Sequence, residues 1–323
     1  MLVIGLSASL LGPAAGVLTS VLWTGTSICF TAAGRRLGPT VVNATRIGVA
    51  IILLAIIHRL FFSVDDAWIP AVNGRQLLLL ALSGVVGLSI GDQALFTAFV
   101  DIGPRLSNLL MTTAPVFATI FAWLVLGERL GLIALTGMGI TIVGIAWVIL
   151  ERPRRPAPHA TGHRTRGVLL AVFGAACQAC GLMLSKAGMG HGWMADAEHL
   201  DPQAATLVRM VFAGVGVLPI IALSRARNRR ALARGQLLTR RGSRLAGLGF
   251  TLAGTLIGPV LGVWMSLVAA DATSVGIAQT LLSLTPIFIL PYAAFVEREH
   301  VSVRAVVGAV IAVVGVAMLF VVA

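Results

Sequence analysis

Asn108, Thr112 and Pro115 stand at i, i+4 and i+7, and Gln279, Ser283 and Pro286 repeat that spacing 171 residues later. On a helix this spacing puts each trio on one face. An amide, a hydroxyl and a proline that frees a backbone carbonyl give such a face donors and acceptors, and the proline kinks the helix as the wall of a cavity does. Polar side chains in an apolar helix turn away from lipid. The two trios therefore either line a cavity that hydrogen-bonds a polar solute or bond neighbouring helices, at about 0.6 kcal/mol each.

Charges inside apolar runs form a second group. Arg46 and Arg209 lie about two turns inside such runs, where a charge costs on the order of 2.5 kcal/mol or more. They suit an anion site or a gate ion pair, or they snorkel to the interface. Asp92 and Gln93 interrupt a third run, and their repeat positions hold Val263 and Trp264. Asp92 could carry a proton or cation, or it could neutralise Arg46. An unpaired buried carboxylate tends to take up a proton, whereas an ion pair holds it ionised. Trp23, Thr26, Ser27, Gln178 and Trp264 extend the set of candidate cavity residues.

Enzyme chemistry finds no support. There is no His-Glu-x-x-His zinc motif, no Gly-x-Ser-x-Gly elbow and no phosphate-cradling loop. Ser89-Ile90-Gly91-Asp92 approaches an intramembrane aspartyl protease motif but lacks its first glycine and a second placed aspartate. Cys29, Cys177 and Cys180 fall in apolar runs and read as small filler rather than as a metal or redox pair. No histidine falls inside the expected spans. No metal and no cofactor is expected.

These residues must be positioned by membrane helices. The 323 residues are 58% hydrophobic and 11% charged, with mean hydropathy +0.96, against about 25% charged in a soluble domain. Ten apolar runs of about 20 residues, each long enough for ~30 Å of hydrocarbon, fall at 13–34, 39–57, 77–99, 106–126, 130–150, 167–188, 204–223, 245–269, 273–296 and 305–322. A Pro- and Arg-rich stretch, 151–166, separates a first half, 1–150, from a second, 167–323. The halves repeat one another: Ala98 with Ala269, Gly137 with Gly308 and Gly144 with Gly315 at offset 171, Arg46 with Arg209 at 163, and Gly34 with Gly188 at 154. Five spans per half is an odd number, so the second half enters the membrane from the opposite side. The expected fold is all-α and integral to the membrane, ten transmembrane helices as two inverted five-helix repeats.

Orientation follows from basic residues. Odd-numbered loops hold eighteen and even-numbered loops four, which puts the odd loops in the cytoplasm, both termini outside, and the chain in the plasma (inner) membrane. The net charge of +12 thus belongs to loops, not to a nucleic-acid surface. The stretch 224–244 holds eight arginines and no acid, and anionic membrane lipids are its expected partner. The heptad-spaced glycines make a small-residue seam for close packing, within the chain or in a homodimer. Glu128 and Glu299 close spans 4 and 9 and read most simply as solvated helix ends.

Thr113-Ala114-Pro115-Val116-Phe117 running to Leu126-Gly127-Glu128-Arg129, and Leu284-Thr285-Pro286-Ile287-Phe288 running to Glu299, resemble the EamA-like branch of the drug/metabolite transporter superfamily. The arginine of the second span in each half and the Gly-rich last helix of each half share the resemblance. Glu297-Arg298-Glu299 departs from it by losing the leucine–glycine before the glutamate, as does the insertion spanning His191 to His199. The resemblance implies ten helices, inverted repeats, a central cavity, and export or uptake of small metabolites. The expected function is a secondary transporter that moves a small organic metabolite or drug-like solute by alternating access, driven by protons if Asp92 carries one. The alternative is a membrane enzyme or lipid-translocating protein using the same cavity.

Overall fold

The computed structural model describes residues 8–63, 67–149, 164–196, 198–233, 243–285, 287–288 and 303–322. All regular structure among them is helical. The elements are α1 (Ala8–Leu37), α2 (Pro39–Phe61), α3 (Gly74–Ser83), α4 (Asp92–Asp101), α5 (Gly103–Met111), α6 (Ala114–Leu126), α7 (Leu132–Ile149), α8 (Arg164–Gly188), α9 (Pro202–Ala233), α10 (Arg244–Thr255), α11 (Val263–Ala272), α12 (Val275–Leu282) and α13 (Val303–Val322). Seven continuous stretches are long and apolar enough to cross a membrane, and Leu132–Trp147 and Val306–Leu319 are shorter apolar helices.

The distribution of polarity is inverted relative to a soluble protein. Ile52, Leu124, Leu169 and Leu218 are each more than 60% exposed, while Asn43, Arg46, Ser89 and Asp92 are wholly buried. Such an apolar exterior is stable only against hydrocarbon, so the chain is an integral membrane protein. Buried hydroxyls are satisfied within their own helices, as where Thr19 donates to Ala15 O at 2.7 Å and Thr31 to Ser27 O at 2.7 Å.

Proline and glycine set the element ends. Pro39 opens α2, where its missing N–H costs nothing. Asn73 and Gln76 cap α3 reciprocally, each side chain accepting from the other's backbone N–H. Gly127 ends α6 at φ 68°, a left-handed conformation that glycine adopts freely. Two wide π-helical segments join α3 to α4 (Gly84–Gly91) and α10 to α11 (Leu256–Gly262). They fall at repeat-related positions, as do the breaks after α5 and α12, at Thr112–Thr113 and Ser283–Leu284.

The two glycine seams face each other. A Cβ on Gly137 would stand 3.0 Å from Gly315 O, and one on Gly144 would stand 2.8 Å from Gly308 O. α7 and α13 therefore run antiparallel in close contact. The seam is used within the molecule, with Ile145, Ala312 and Leu319 packed around it.

Some expectations change. α9 continues ten residues past its expected end, so 224–233 is helix rather than loop. α2 likewise runs past residue 57, which puts His58 inside it, buried, with Nδ1 2.9 Å from Gln203 Oε1. Glu128 is no simple solvated end, as the ion pair below shows. Of the expected linker 151–166, residues 164–166 already belong to α8; 151–163, the remainder of the basic stretch at 234–242, Pro286 and Glu299 lie outside the described residues.

Candidate functional site

The main cavity is enclosed by helices of both halves: Trp23, Thr26, Ser27 and Phe30 from α1, Leu95, Phe96 and Phe99 from α4, Asn108 and Met111 from α5, Gln178 from α8, and Gln279, Leu282, Ser283 and Thr285 from α12 and the turn after it. It offers about 80 Å³ to the centres of water-sized molecules, room for roughly half a dozen waters at the ~10–15 Å³ each requires. Its walls are aromatic and aliphatic, with amides and hydroxyls at a few points. Asn108 is 8% exposed and its Nδ2 has no hydrogen-bond partner among the described residues. Thr24 and Thr285 brace α1 against the α12 turn, with Thr24 Oγ1 donating to Thr285 O at 3.2 Å.

Behind Phe96 lies a polar core. Arg46 Nη2 is 2.5 Å from Asp92 Oδ2 and donates to Leu88 O at 2.8 Å, and its Nε donates to Asn43 Oδ1 at 3.0 Å. Asn43 Nδ2 in turn donates to Ser89 O at 3.1 Å. Leu88 and Ser89 belong to the π-helical segment, and their carbonyls accept these side-chain bonds. Gln178 Nε2 donates to Asp92 Oδ1 from α8. Arg46 also sits 5.0 Å from the Phe96 ring centroid, so that ring separates the ion pair from the cavity.

Arg209, the repeat partner of Arg46, has different surroundings. It is 2% exposed, and among the described residues its Nε has no hydrogen-bond partner. It lines a small recess with Trp23, Leu88, Gln178, Leu182, Val263, Ser266, Gln279 and Leu282. Trp23, Gln178, Gln279 and Leu282 also line the main cavity, so the two spaces adjoin.

The even-loop ends are tied to one another. Lys186 Nζ lies 2.7 Å from Glu128 Oε1 and donates to Thr273 O at 2.6 Å. Glu128 Oε2 accepts from Val275 N at 2.9 Å, a carboxylate at the first turn of α12 where the helix dipole favours it. The segment after α8 folds over this end: Met189 and Met194 are buried, and Glu198 O accepts from Gln76 Nε2 at 2.8 Å. His191 Nε2 lies 2.7 Å from Asp271 Oδ1 and His199 Nε2 3.6 Å from Asp271 Oδ2. These three offer one ligand atom each within 4.8 Å, one fewer than the four a structural zinc site takes. On the odd-loop side, Arg166 grips Asp101 with two bonds of 2.8 and 2.7 Å. The cavity draws Thr26, Ser27, Phe30, Leu95, Phe96, Phe99 and Asn108 from the odd-loop halves of the stretches Leu10–Leu37, Gly74–Asp101 and Leu106–Leu126.

Of the residues singled out from sequence, Asn108, Gln279, Ser283, Trp23, Thr26, Ser27 and Gln178 come together around the cavity. Thr112 and Pro115 do not line it: Thr112 Oγ1 turns back to Leu109 O at 2.6 Å, and Pro115 is buried with its carbonyl accepting from Thr119 Oγ1 at 2.9 Å. Trp264 points elsewhere, its ring 5.5 Å from Phe62. Pro286 lies outside the described residues. Sequence reasoning missed the Phe30, Phe96 and Phe99 walls, Asn43, and the Lys186 clamp. Lys186 carried one signal, as the only lysine in the chain. Asn43 carried another, one helical turn before Arg46.

The sequence model of the EamA-like transporter family matches residues 10–150 and 165–321. No curated protein matches the chain. A solved crystal structure, titled only as that of a protein, superposes with a TM-score of 0.64 at 17% identity, over 96% of this chain and 94% of its own. At that identity the likeness is one of fold alone.

Proposed function

This chain belongs to the EamA-like transporter family, and we propose that it is a secondary transporter that carries a small organic metabolite or drug-like solute by alternating access. The observation that carries this reading is the cavity itself, amphipathic and walled by α1, α4 and α5 of one half and α8 and α12 of the other. A site between two halves is what rocking of one half against the other can expose to each side in turn.

The finer architecture is ten transmembrane helices in two inverted repeats, 1–150 and 167–323 about a linker. It is supported by repeat-related breaks at Thr112 and Ser283, by repeat-related π-helical segments, and by the antiparallel α7–α13 seam. In that seam Gly137 meets Gly315 while Gly144 meets Gly308, the reciprocal pairing a pseudo-two-fold axis requires. The odd loops are assigned to the cytoplasm of a plasma (inner) membrane, with the arginines of 224–244 against anionic lipid. The cavity then faces the cytoplasm, and the Glu128–Lys186 side is the closed external gate. Proton coupling through Asp92 would require the Arg46 pair to open, and the geometry favours Asp92 as the fixed partner of Arg46.

The test is a metabolite uptake and efflux screen in proteoliposomes, with and without a pH gradient. Asn108→Cys or Gln279→Cys, in a background lacking the three native cysteines, should react with a small aqueous thiol reagent and lose transport on labelling. Leu109→Cys should react far less, since Leu109 packs against the apolar cluster around Met138 and Leu281. Full transport by the labelled Asn108 and Gln279 variants would remove the cavity from the solute path.

A further inference from the structure

The two repeat-related arginines differ in what answers their charge. Around Arg46 the chain supplies acceptors of its own for Nε and Nη2, a carboxylate among them: Asp92 Oδ2 at 2.5 Å, Leu88 O at 2.8 Å and Asn43 Oδ1 at 3.0 Å, leaving Nη1 without a partner among the described residues. Applying the repeat offsets, the position of Asp92 becomes Val263 and that of Asn43 becomes Thr206. Val263 has no polar side-chain atom, and Thr206 Oγ1 donates to Pro202 O at 2.7 Å and takes no bond from Arg209 Nε. Asp92 acts on Arg209 only through space, because its two oxygens are held by Arg46 and Gln178. The buried group of Arg46, Asp92 and Arg209 therefore carries one positive charge in excess.

A buried, incompletely bonded guanidinium is a costly feature unless a ligand completes it. We propose that Arg209 receives the carboxylate of an amphipathic organic anion, which occupies the recess where the first half places its own Asp92. The inference rests on the transporter reading and names the class of solute. The guanidinium's fork suits a carboxylate. Gln279, at the junction of recess and cavity, provides an amide donor, while Gln178 beside it is held on Asp92. The body of the solute lies against Phe30, Phe96 and Phe99, and the unsatisfied Asn108 Nδ2 offers a further donor to a polar group on it. Neutral and cationic solutes of the same shape leave Arg209 unanswered and are discriminated against.

The experiment is equilibrium binding of phenylacetate and its near-isostere phenylacetamide to the full chain in nanodiscs, alone and in competition with chloride and phosphate. Wild-type protein should prefer the carboxylate by about tenfold or more, the scale of one charge-assisted hydrogen-bonded contact. Arg209→Gln should lose that preference while binding the amide as before, and Arg209→Lys should retain part of it. A second variant guards against misfolding: Val263→Asp supplies the missing carboxylate in place, and should abolish carboxylate binding while keeping or raising the melting temperature. Equal binding of acid and amide by wild type, or no binding of phenylacetate, overturns the proposal. So does undiminished acid binding by Arg209→Gln or Val263→Asp, and so does saturation of the site by chloride or phosphate with no preference for the organic acid. Uptake in proteoliposomes separates the two readings. Carboxylate-selective binding without uptake removes the transporter and leaves the site, whereas uptake indifferent to Arg209 removes the site and leaves the transporter.

Discussion

Arg46 and Asp92 are each wholly buried and 2.5 Å apart, which fixes the consequence of breaking them singly. Replacing a buried ion pair whole is often near neutral, but removing one member leaves an uncompensated charge at about 3–5 kcal/mol. Asp92→Asn should therefore lower the melting temperature of the purified protein and impair both pH-driven accumulation and downhill exchange. Adding Arg46→Gln should restore part of each. If Asp92→Asn melts normally and loses only pH-driven accumulation, the carboxylate is a proton carrier and the pairing is secondary. The sequence made this pair legible as two charges in apolar runs of the same half, with neutralisation of one by the other already an option. It did not reveal Gln178 as the other ligand of Asp92, because that contact depends on α8 of the second half packing against α4. The backbone acceptors of Arg46 and Asn43 were equally hidden. Leu88 and Ser89 sit in a Gly-Val-Val-Gly-Leu-Ser run whose apolar character is the same in α- and π-helix.

At the scale of elements, the π-helical segments and the Glu128–Lys186 clamp make separate predictions. Gly84 opens the first segment, and a Cβ there would stand 2.1 Å from Arg209 O, a backbone atom that cannot step aside. Gly84→Ala should destabilise by about 1–3 kcal/mol or more through overpacking, despite alanine's better helix propensity. Gly139→Ala meets nothing within 4 Å and should be neutral or stabilise by about 0.4–1 kcal/mol. Thermal unfolding of the two variants side by side checks this, and equal melting temperatures would remove the close approach of α9. At the clamp, which the proposed function makes the external gate, Glu128 joins Lys186 to the first turn of α12. Glu128→Gln removes charge-assisted bonds of about 1.5–3 kcal/mol, roughly tenfold to a hundredfold in the closed-to-open ratio. Gln279→Cys should then become reactive to an impermeant thiol reagent added on the even-loop side, where it is protected in the parent. Protection that survives Glu128→Gln would locate the gate elsewhere. Helix extents were readable from apolar runs and their bounding prolines, and most agree within a few residues. α9 overran because the 224–233 stretch is charged but rich in alanine and arginine, both good helix formers. A hydropathy window ends where charge begins, and a helix does not.

For the whole molecule, the close seam and the charge asymmetry carry different parts of the argument. A Cβ on Gly144 would stand 2.5 Å from Ala312 N, so a bulky residue there must pry α7 from α13 and should cost folding yield. That shows how the halves are joined but not which way they face. Facing is an expectation drawn from the odd-loop excess of eighteen basic residues over four. The packing is consistent with that grouping of loops: Gly167 abuts Asp101 and Ile102, and Gly247 abuts Arg36 and Leu37, so odd-loop ends meet odd-loop ends. The even-loop ends gather likewise, with Lys186 on Glu128 and His191 on Asp271. The two sides differ in chemistry as the rule for cytoplasmic loops demands, because α9 carries Arg225, Arg227, Arg229 and Arg230 outward past its expected end on the odd side. Each such arginine near an anionic leaflet contributes about 1 kcal/mol to retention, and neither chain end bears a charged side chain within its first or last ten residues. Both termini should therefore be extracytoplasmic. An alkaline phosphatase fusion after Ala323 should be active, and a fluorescent protein that matures only in the cytoplasm should stay dark at the same position. Replacing four arginines of 225–244 with glutamine should yield mixed activity of the two fusions and leave the substrate preference of correctly inserted protein unchanged. An inactive phosphatase beside a bright fluorescent fusion would reverse the orientation, and with it the assignment of the Glu128–Lys186 clamp to the outer face.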